Sequence, residues 1–454
     1  MINEKNSAIN KLNALFDQGT FAELNELIVR PGSDELEGVV CGYGAVEGRL
    51  VYAFANDFSR LKGAVDSTHI RKILNLYELA EKNGSPIVAV LNSAGASVLE
   101  GISLLDSYGK LFTAASRLSG LVPQISIIEG VCSGSLAIFA SCADFIITAG
   151  KNSTLSYAPL SVLKENGSVD KENDFAAGKG SATIKCADIE SAFISAKKLL
   201  NIIPSNYEEQ IELACEDINR TALINETSSV NEIVAQISDA ENTVELYSEY
   251  GKDVYTVLAT INGRPTGIIA PNAALTASGL DKASRLVKFC DAFSIQILLI
   301  VNSEGFDTAS EVNGADIARV AGIFASEIAL ASVPVVTLVS GKAYGAVFTL
   351  FASKSAAADL VYALPYATIS VMPTESAVEF LMNDKLAASK EPVKTREELV
   401  NQWNKNNANP IAAAKLGLID NVINPEETTK IVASAFEMMS NKRVVLIPKK
   451  RSGK

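Results

Sequence analysis

Histidine is nearly missing from this chain: His69 is the single one among 454 residues. That scarcity argues against a site built on a histidine base, a Ser-His-Asp hydrolase included, because His69 alone would have to serve. The six cysteines (41, 132, 142, 186, 215, 290) include no C-x-x-C pair. The usual spacing of structural zinc is therefore absent, and a reduced cytoplasmic protein with no metal is expected. A positive balance is lacking too: 40 Lys and Arg against 52 Asp and Glu leave a net charge of −12. This opposes a nucleic-acid or anionic-membrane surface as the main role. The segment Met1-Ile2-Asn3-Glu4-Lys5-Asn6-Ser7 has no apolar core of the secretory kind. Long apolar runs are also missing. The longest, Ile125 to Ala149, is broken by Glu129, Ser133, Gly134, Ser135 and Asp144, and reads as strand, turn and buried helix rather than a membrane span.

What the chain does have is a message written twice. Asn92-Ser93-Ala94-Gly95 returns as Asn302-Ser303-Glu304-Gly305, an offset of 210. The apolar run from Pro123 to Gly130 returns from Pro334 to Gly341, and Gly134-Ser135 returns as Gly345-Ala346, both at an offset of 211. Register kept over three landmarks implies a duplicated domain. Each copy ends in a small-residue strand-to-helix turn, where backbone N–H groups can face a developing oxyanion.

The coarse pattern is α/β. Residues 6–30 read as one or two short amphipathic helices with a turn at Gln18-Gly19. Gly38 to Asp57 reads as paired strands with Gly44 and Gly48 at turns. A helix is expected from His69 to Lys82, then a buried strand from Pro86 to Leu91, another helix, a strand from Gln124 to Glu129, and a turn and helix from about Gly134. The second copy repeats this with Arg264–Ala270, a helix Asp281–Phe293, strand Ile295–Val301, a helix through Ala331, strand Val335–Val339 and a helix from Gly345. Such alternation implies βαβ units and a mainly parallel sheet. Residues 164–182 read as a mobile surface segment, Ile224–Glu232 as the linker, and the basic Lys449–Lys454 end as a solvated tail. The domain boundary is expected at 230/231, giving domains 1–230 and 231–454.

Several strings carry a family resemblance. They are Leu15-Phe16-Asp17 through Leu24; Gly38-Val39-Val40 through Arg49; Ile261-Asn262-Gly263-Arg264-Pro265; Lys288-Phe289-Cys290-Asp291-Ala292-Phe293; Lys342-Ala343-Tyr344-Gly345-Ala346; and Asn409-Pro410 through Ile423. The chain resembles the carboxyltransferase subunits of biotin-dependent acyl-CoA carboxylases and decarboxylases, of the propionyl-CoA carboxylase beta and methylmalonyl-CoA decarboxylase alpha type. The resemblance implies two tandem crotonase-like (ClpP/crotonase) domains, each a ββα superhelix. It implies acyl-CoA bound by the first domain and biotin by the second, in a homo-oligomer, usually a hexamer. It also implies partners. No Met-Lys-Met attachment motif and no carboxylase-type ATP loop is present, so a biotin carboxyl carrier protein and a biotin carboxylase or membrane decarboxylase subunit would be separate chains. No nucleic acid is implied, and no direct membrane insertion.

The chemistry suits these residues. Loss of carboxyl from the alpha carbon leaves a thioester enolate, and backbone donors aimed at its oxygen lower the barrier by roughly 3 kcal/mol each. The expected catalytic positions are Gly134, Ser135, Gly345 and Ala346. Gly95, Ala96, Gly130, Ser133 and Tyr157 are expected to bind the thioester; Gly305, Phe306, Lys342, Ala343 and Tyr344 are expected to bind biotin. Cys132 reads as an inert buried thiol and His69 as a surface or capping residue. In the family the first loop reads Asp-Ser-Gly-Gly-Ala-Arg, whereas here it runs Asn92 to Ser97. The second glycine of the first turn is Ser135, and a late histidine is replaced near Thr183. Two rival readings are a non-catalytic scaffold and a crotonase-type hydratase or isomerase, the latter needing a positioned carboxylate such as Glu100 or Glu129.

Overall fold

Two glycine-bearing pairs start the fold. Glu47 and Gly48 have φ of 50° and 75°, and Asn262 and Gly263 have φ of 52° and 74°. Two successive left-handed residues make the tight hairpin whose twist matches its strands. They join β2 (Val39–Val46) to β3 (Arg49–Asn56), and β10 (Val254–Ile261) to β11 (Arg264–Pro271). A computed structural model describes residues 8–30, 32–158, 165, 175–240, 242–308, 314–356 and 358–444. The polar core of the 164–182 segment and the basic tail lie outside the described residues.

The chain divides into two compact units, Met1–Ile211 and Glu212–Lys454. In the first, β1 (Ala22–Leu24) and the hairpin are followed by β4 (Ile87–Ser93), β5 (Gln124–Ser133), β6 (Phe145–Ala149), β7 (Thr154–Ser156) and β8 (Ile184–Cys186). The sheet order is β1-β2-β3-β4-β5-β6-β8, with β7 on β5. The first three strands are antiparallel and the rest parallel. The second unit has β9 (Thr243–Glu245), the second hairpin, β12 (Gln296–Ser303), β13 (Val335–Tyr344), β14 (Leu360–Ala363), β15 (Thr368–Ser370) and β16 (Asn421–Val422), in the same order with β15 on β13.

The central strands β4 and β12 are buried along almost their whole length, as parallel strands covered on both faces must be. Helices Ser67–Asn83 and Ser103–Leu118 make the crossovers around β4 in the first unit; Ala277–Ala292 and Gly314–Leu330 do so in the second. Asp66 caps the first by accepting from His69 N at 2.8 Å, and Thr276 caps the third. Such a cap is worth about 1 kcal/mol. Lys72 and Lys282 also match at the 210 offset. Both are buried, and each ammonium donates to a backbone carbonyl, Val39 O at 2.7 Å and Tyr247 O at 3.3 Å. A buried ammonium needs such a partner.

Four expectations change here. Residues 22–24 form an edge strand rather than a second helix. Gly44 lies inside β2, not at a turn; a Cβ there would meet the Phe16 ring, so its bareness makes room for that ring. Contacts divide the chain at 211/212, before the expected 230/231, because Ala222, Ile224 and the helix Val230–Ile237 pack into the second unit's core. His69 is at a helix start but fully buried, its ring 2.9 Å from Asn56 Nδ2 and 3.4 Å from Glu37 Oε1. Burial pushes the Glu37 carboxyl up, but its contacts with His69, the Gly38 amide and Asp66 together outweigh that and leave it below its usual range.

Strand starts are tied by carboxylates. Asp144 accepts from Gln124 N at 2.8 Å, and Asp359 accepts from Val335 N at 2.8 Å. Burial pushes Asp144 up to about 7. The folded chain then holds more protons than the unfolded one between about pH 4 and 7, so stability falls as pH rises through that window. Asp144→Asn keeps the acceptor oxygen without the charge. Its melting temperature is expected to exceed the wild type at pH 8, with the gap closing toward pH 4.5. A gap independent of pH contradicts this.

Candidate active site

In each unit the longest strand changes partner midway. β5 pairs with β6 through Ile125–Ile128 and with β7 through Val131–Ser133. β13 does the same, with β14 through Val336–Val339 and β15 through Lys342–Tyr344. Each then ends in a glycine that only a residue without Cβ adopts readily: Gly134 (φ 66°, ψ −141°) and Gly345 (φ 52°, ψ −121°). Gly134 N donates to Ser156 O at 3.0 Å, and Gly345 N donates to Ser370 O at 2.9 Å. Of each expected catalytic pair, the glycine amide is thus spent on the sheet. The amide of the next residue, Ser135 or Ala346, starts a helix and has no backbone acceptor among the described residues.

A second amide arrives from the loop after β4 or β12. Val65 bridges Ala96, and Leu275 bridges Phe306, both in parallel. Val65 donates to Gly95 O and accepts from Ser97 N; Leu275 donates to Gly305 O and accepts from Asp307 N. That pattern turns the Ala96 and Phe306 amides away from the bridge. Gly95 and Gly305 take positive φ, 117° and 145°, which the loop requires. Ser93 Oγ accepts from Gly95 N at 3.0 Å, and Ser303 Oγ accepts from Gly305 N at 3.5 Å. Among the described residues, the amides of Ala96 and Ser135 in the first unit and of Phe306 and Ala346 in the second have no backbone acceptor.

The other expected residues fall as follows. Gly130 faces the Asn92 side chain, which fills the place of its missing Cβ. Ser133 is buried and its hydroxyl lies 3.4 Å from Ala94 O, so it braces the loop. Tyr157 is 74 % exposed, one residue past β7. Lys342 pairs with Glu304, a contact that raises its pKa. Ala343 is fully buried in the ladder with Ile369, and burial raises the Tyr344 phenol. Cys132 is buried and its thiol pushed up to about 12, as an inert thiol should be. Thr183 splices β8 to β6, donating to Ile146 O and accepting from Ile146 N. The bridging residues Val65 and Leu275 escaped the sequence reading, although each is an apolar residue just before a helix cap at the 210 offset.

The second unit holds a cavity of about 550 Å³ beside this loop, lined in part by Ala273, Asn302, Glu304, Lys342, Tyr366 and Thr368. The Tyr366 hydroxyl is buried with no partner among the described residues, and burial pushes it up to about 12. No group of metal-binding side chains occurs among the described residues, and no described helix is long and apolar enough to cross a membrane.

A model of the carboxyl transferase domain matches residues 3–453. Methylmalonyl-CoA decarboxylase subunit alpha of Propionigenium modestum is 33 % identical over 98 % of this chain and 92 % of its own. The methylmalonyl-CoA carboxyltransferase 12S subunit of Propionibacterium freudenreichii subsp. shermanii is 31 % identical over 97 % and 89 %. A transcarboxylase 12S structure, a hexamer assembly with methylmalonyl-coenzyme A and methylmalonic acid bound, superposes with a TM-score of 0.92 at 30 % identity, over 99 % of this chain and 92 % of that one. The two duplicated α/β units, with their matching strand-to-helix turns, belong to a member of the carboxyl transferase domain family.

Proposed function

We propose that this chain moves a carboxyl group between biotin on a partner protein and the alpha carbon of an acyl-CoA, with methylmalonyl-CoA and propionyl-CoA as the acyl pair. The observation that carries this is the repeated pair of unspent amides in a site without a histidine. The first unit takes the thioester. As the bond from the alpha carbon to the carboxyl breaks, its electrons pass to the thioester oxygen, where the Ala96 and Ser135 amides hold the charge. Main-chain donors are already oriented and need no reorganisation, so each contributes roughly 3 kcal/mol. The second unit takes the ureido ring, its carbonyl held by Phe306 and Ala346. A cavity of about 550 Å³, lined in part by Asn302, Ser303, Glu304 and Lys342 of that loop and strand, has room for such a ring. Biotin, when bound, supplies the nitrogen that accepts or gives the carboxyl and the proton that replaces it. The same amides serve carboxylation, because the enolate is common to both directions.

A hydratase reading is disfavoured by the two carboxylates it would use. Glu129 is paired with Lys11 at 2.6 Å, and Glu100 is spent on Ser67 N and Oγ at 2.8 and 2.6 Å. We further propose assembly as a homo-oligomer with a biotin carboxyl carrier protein and either a biotin carboxylase or a membrane decarboxylase subunit. Val98, Leu99 and Ile102, 91, 91 and 87 % exposed beside the first loop, are the apolar surface such assembly would cover.

The test is turnover of malonyl-CoA, methylmalonyl-CoA and glutaconyl-CoA by the purified chain with free biotin. Methylmalonyl-CoA is expected to lose carboxyl fastest. Thioester binding without turnover of any of the three would make the chain a scaffold.

A further inference from the structure

The strand pair that carries each loop loses register at one asparagine. β4 and β5 run in step to Leu91↔Ile128, then resume at Ser93↔Cys132. β12 and β13 run to Val301↔Val339, then resume at Ser303↔Ala343. One residue thus faces three, and the lone residue is Asn92 in one unit and Asn302 in the other. The middle residue opposite is a glycine, Gly130 or Gly341, and a Cβ on either would overlap the asparagine carboxamide. Asn302 Oδ1 accepts from Lys342 N at 3.0 Å, closing the gap with a hydrogen bond. The flanking loop sequences differ, Ala94-Gly95-Ala96 against Glu304-Gly305-Phe306, yet the Asn-against-Gly contact is the same.

We propose that Asn92 and Asn302 are positioning residues that set the separation of the two amides in each unit. Four residues after Asn302 comes Phe306; four after Gly341 comes Gly345, and then Ala346. In the second unit the Asn302 carboxamide therefore ties the stem of one amide to the stem of the other by a hydrogen bond, and in the first Asn92 holds the same place by packing against Gly130. Donors displaced by about 1 Å lose much of their effect, on the order of a hundredfold. The assignment of these amides rests on the carboxyl-transfer reading, but the tie itself does not.

The experiment compares wild type, Asn302→Ala, Asn302→Asp and Asn92→Ala as full chains. Hydrogen exchange is read at 303–308 and 93–98, and kcat and KM are read for biotin-dependent loss of carboxyl from methylmalonyl-CoA. Asn302→Ala is expected to speed exchange at 303–308 at least tenfold and to lower kcat 10- to 100-fold, with KM for the thioester unchanged. Asn302→Asp keeps the acceptor oxygen and is expected to recover most of both. Asn92→Ala is expected to speed exchange at 93–98. Wild-type exchange in both alanine variants overturns the proposal whatever the turnover. A fall in kcat that tracks lowered melting, without aspartate recovery, reduces the asparagines to packing and also overturns it. An inactive wild type refutes carboxyl transfer, while exchange still decides the tie.

Discussion

Ser135→Pro is expected to lower kcat by two to three orders of magnitude while the protein stays folded. Ser135 is the first residue of the helix Ser135–Ala140, the position where proline is best tolerated, since its fixed φ suits the helix and the N–H it lacks has no helical acceptor. The substitution therefore deletes one donor and little else. Loss of a single oxyanion donor typically costs 10²–10³ in kcat. Ser135→Ala keeps the amide and loses the hydroxyl, so it should run near the wild-type rate. That contrast separates a main-chain role from a side-chain one. A proline variant as active as wild type, with an alanine variant that is dead, would place the chemistry on the serine hydroxyl. Ala346→Pro is the matching change in the second unit, expected to act on the biotin half alone.

Gly345→Ala should be the most damaging single methyl at either turn. Its φ of 52° is strained for any L side chain, and its Cβ would stand 2.8 Å from Val371 O. Gly134 has a similar φ of 66° but nothing within 4 Å of the added methyl. Strain alone costs about 1–3 kcal/mol, so Gly134→Ala should lose that much stability and Gly345→Ala more. Both should lose at least a hundredfold in turnover, because the displaced turn carries the donor with it. Thermal melts and kcat on the two variants check this. Equal stability of the two would mean that Val371 yields freely, and a Gly345→Ala enzyme with normal turnover would remove the second turn from the site.

Much of this was legible in the residues. Strands buried on both faces are continuous apolar runs, so β4, β5, β12 and β13 stood out. The duplicated landmarks marked both turns and both loops. The parts that stayed hidden are those set by distant contacts. β1 has three residues, one of them Glu23, too short for any period, and its pairing with β2 decides it. Gly44 is explained by the Phe16 ring, a tertiary neighbour. His69 looks polar and is nevertheless buried, with the Asn56 amide against its ring at 2.9 Å and Glu37 Oε1 3.4 Å away. The stretch around Ile224 has few apolar residues, but those few enter the second unit's core. Within the turns, composition pointed to Gly134 and Gly345 equally with their neighbours. Only the hydrogen bonds to Ser156 and Ser370 show that the two glycine amides are engaged in the sheet, which leaves the following residues as the candidates.

The most direct measurement follows the carboxyl group itself. Methylmalonyl-CoA labelled in its free carboxyl is incubated with the purified chain, with and without free biotin. Carboxyl transfer through the two amide pairs predicts that label appears on biotin, that propionyl-CoA forms in equal amount, and that Ser135→Pro and Ala346→Pro each slow the transfer at least a hundredfold. Label released at the same rate without biotin, or transferred unimpaired by both proline variants, would contradict it.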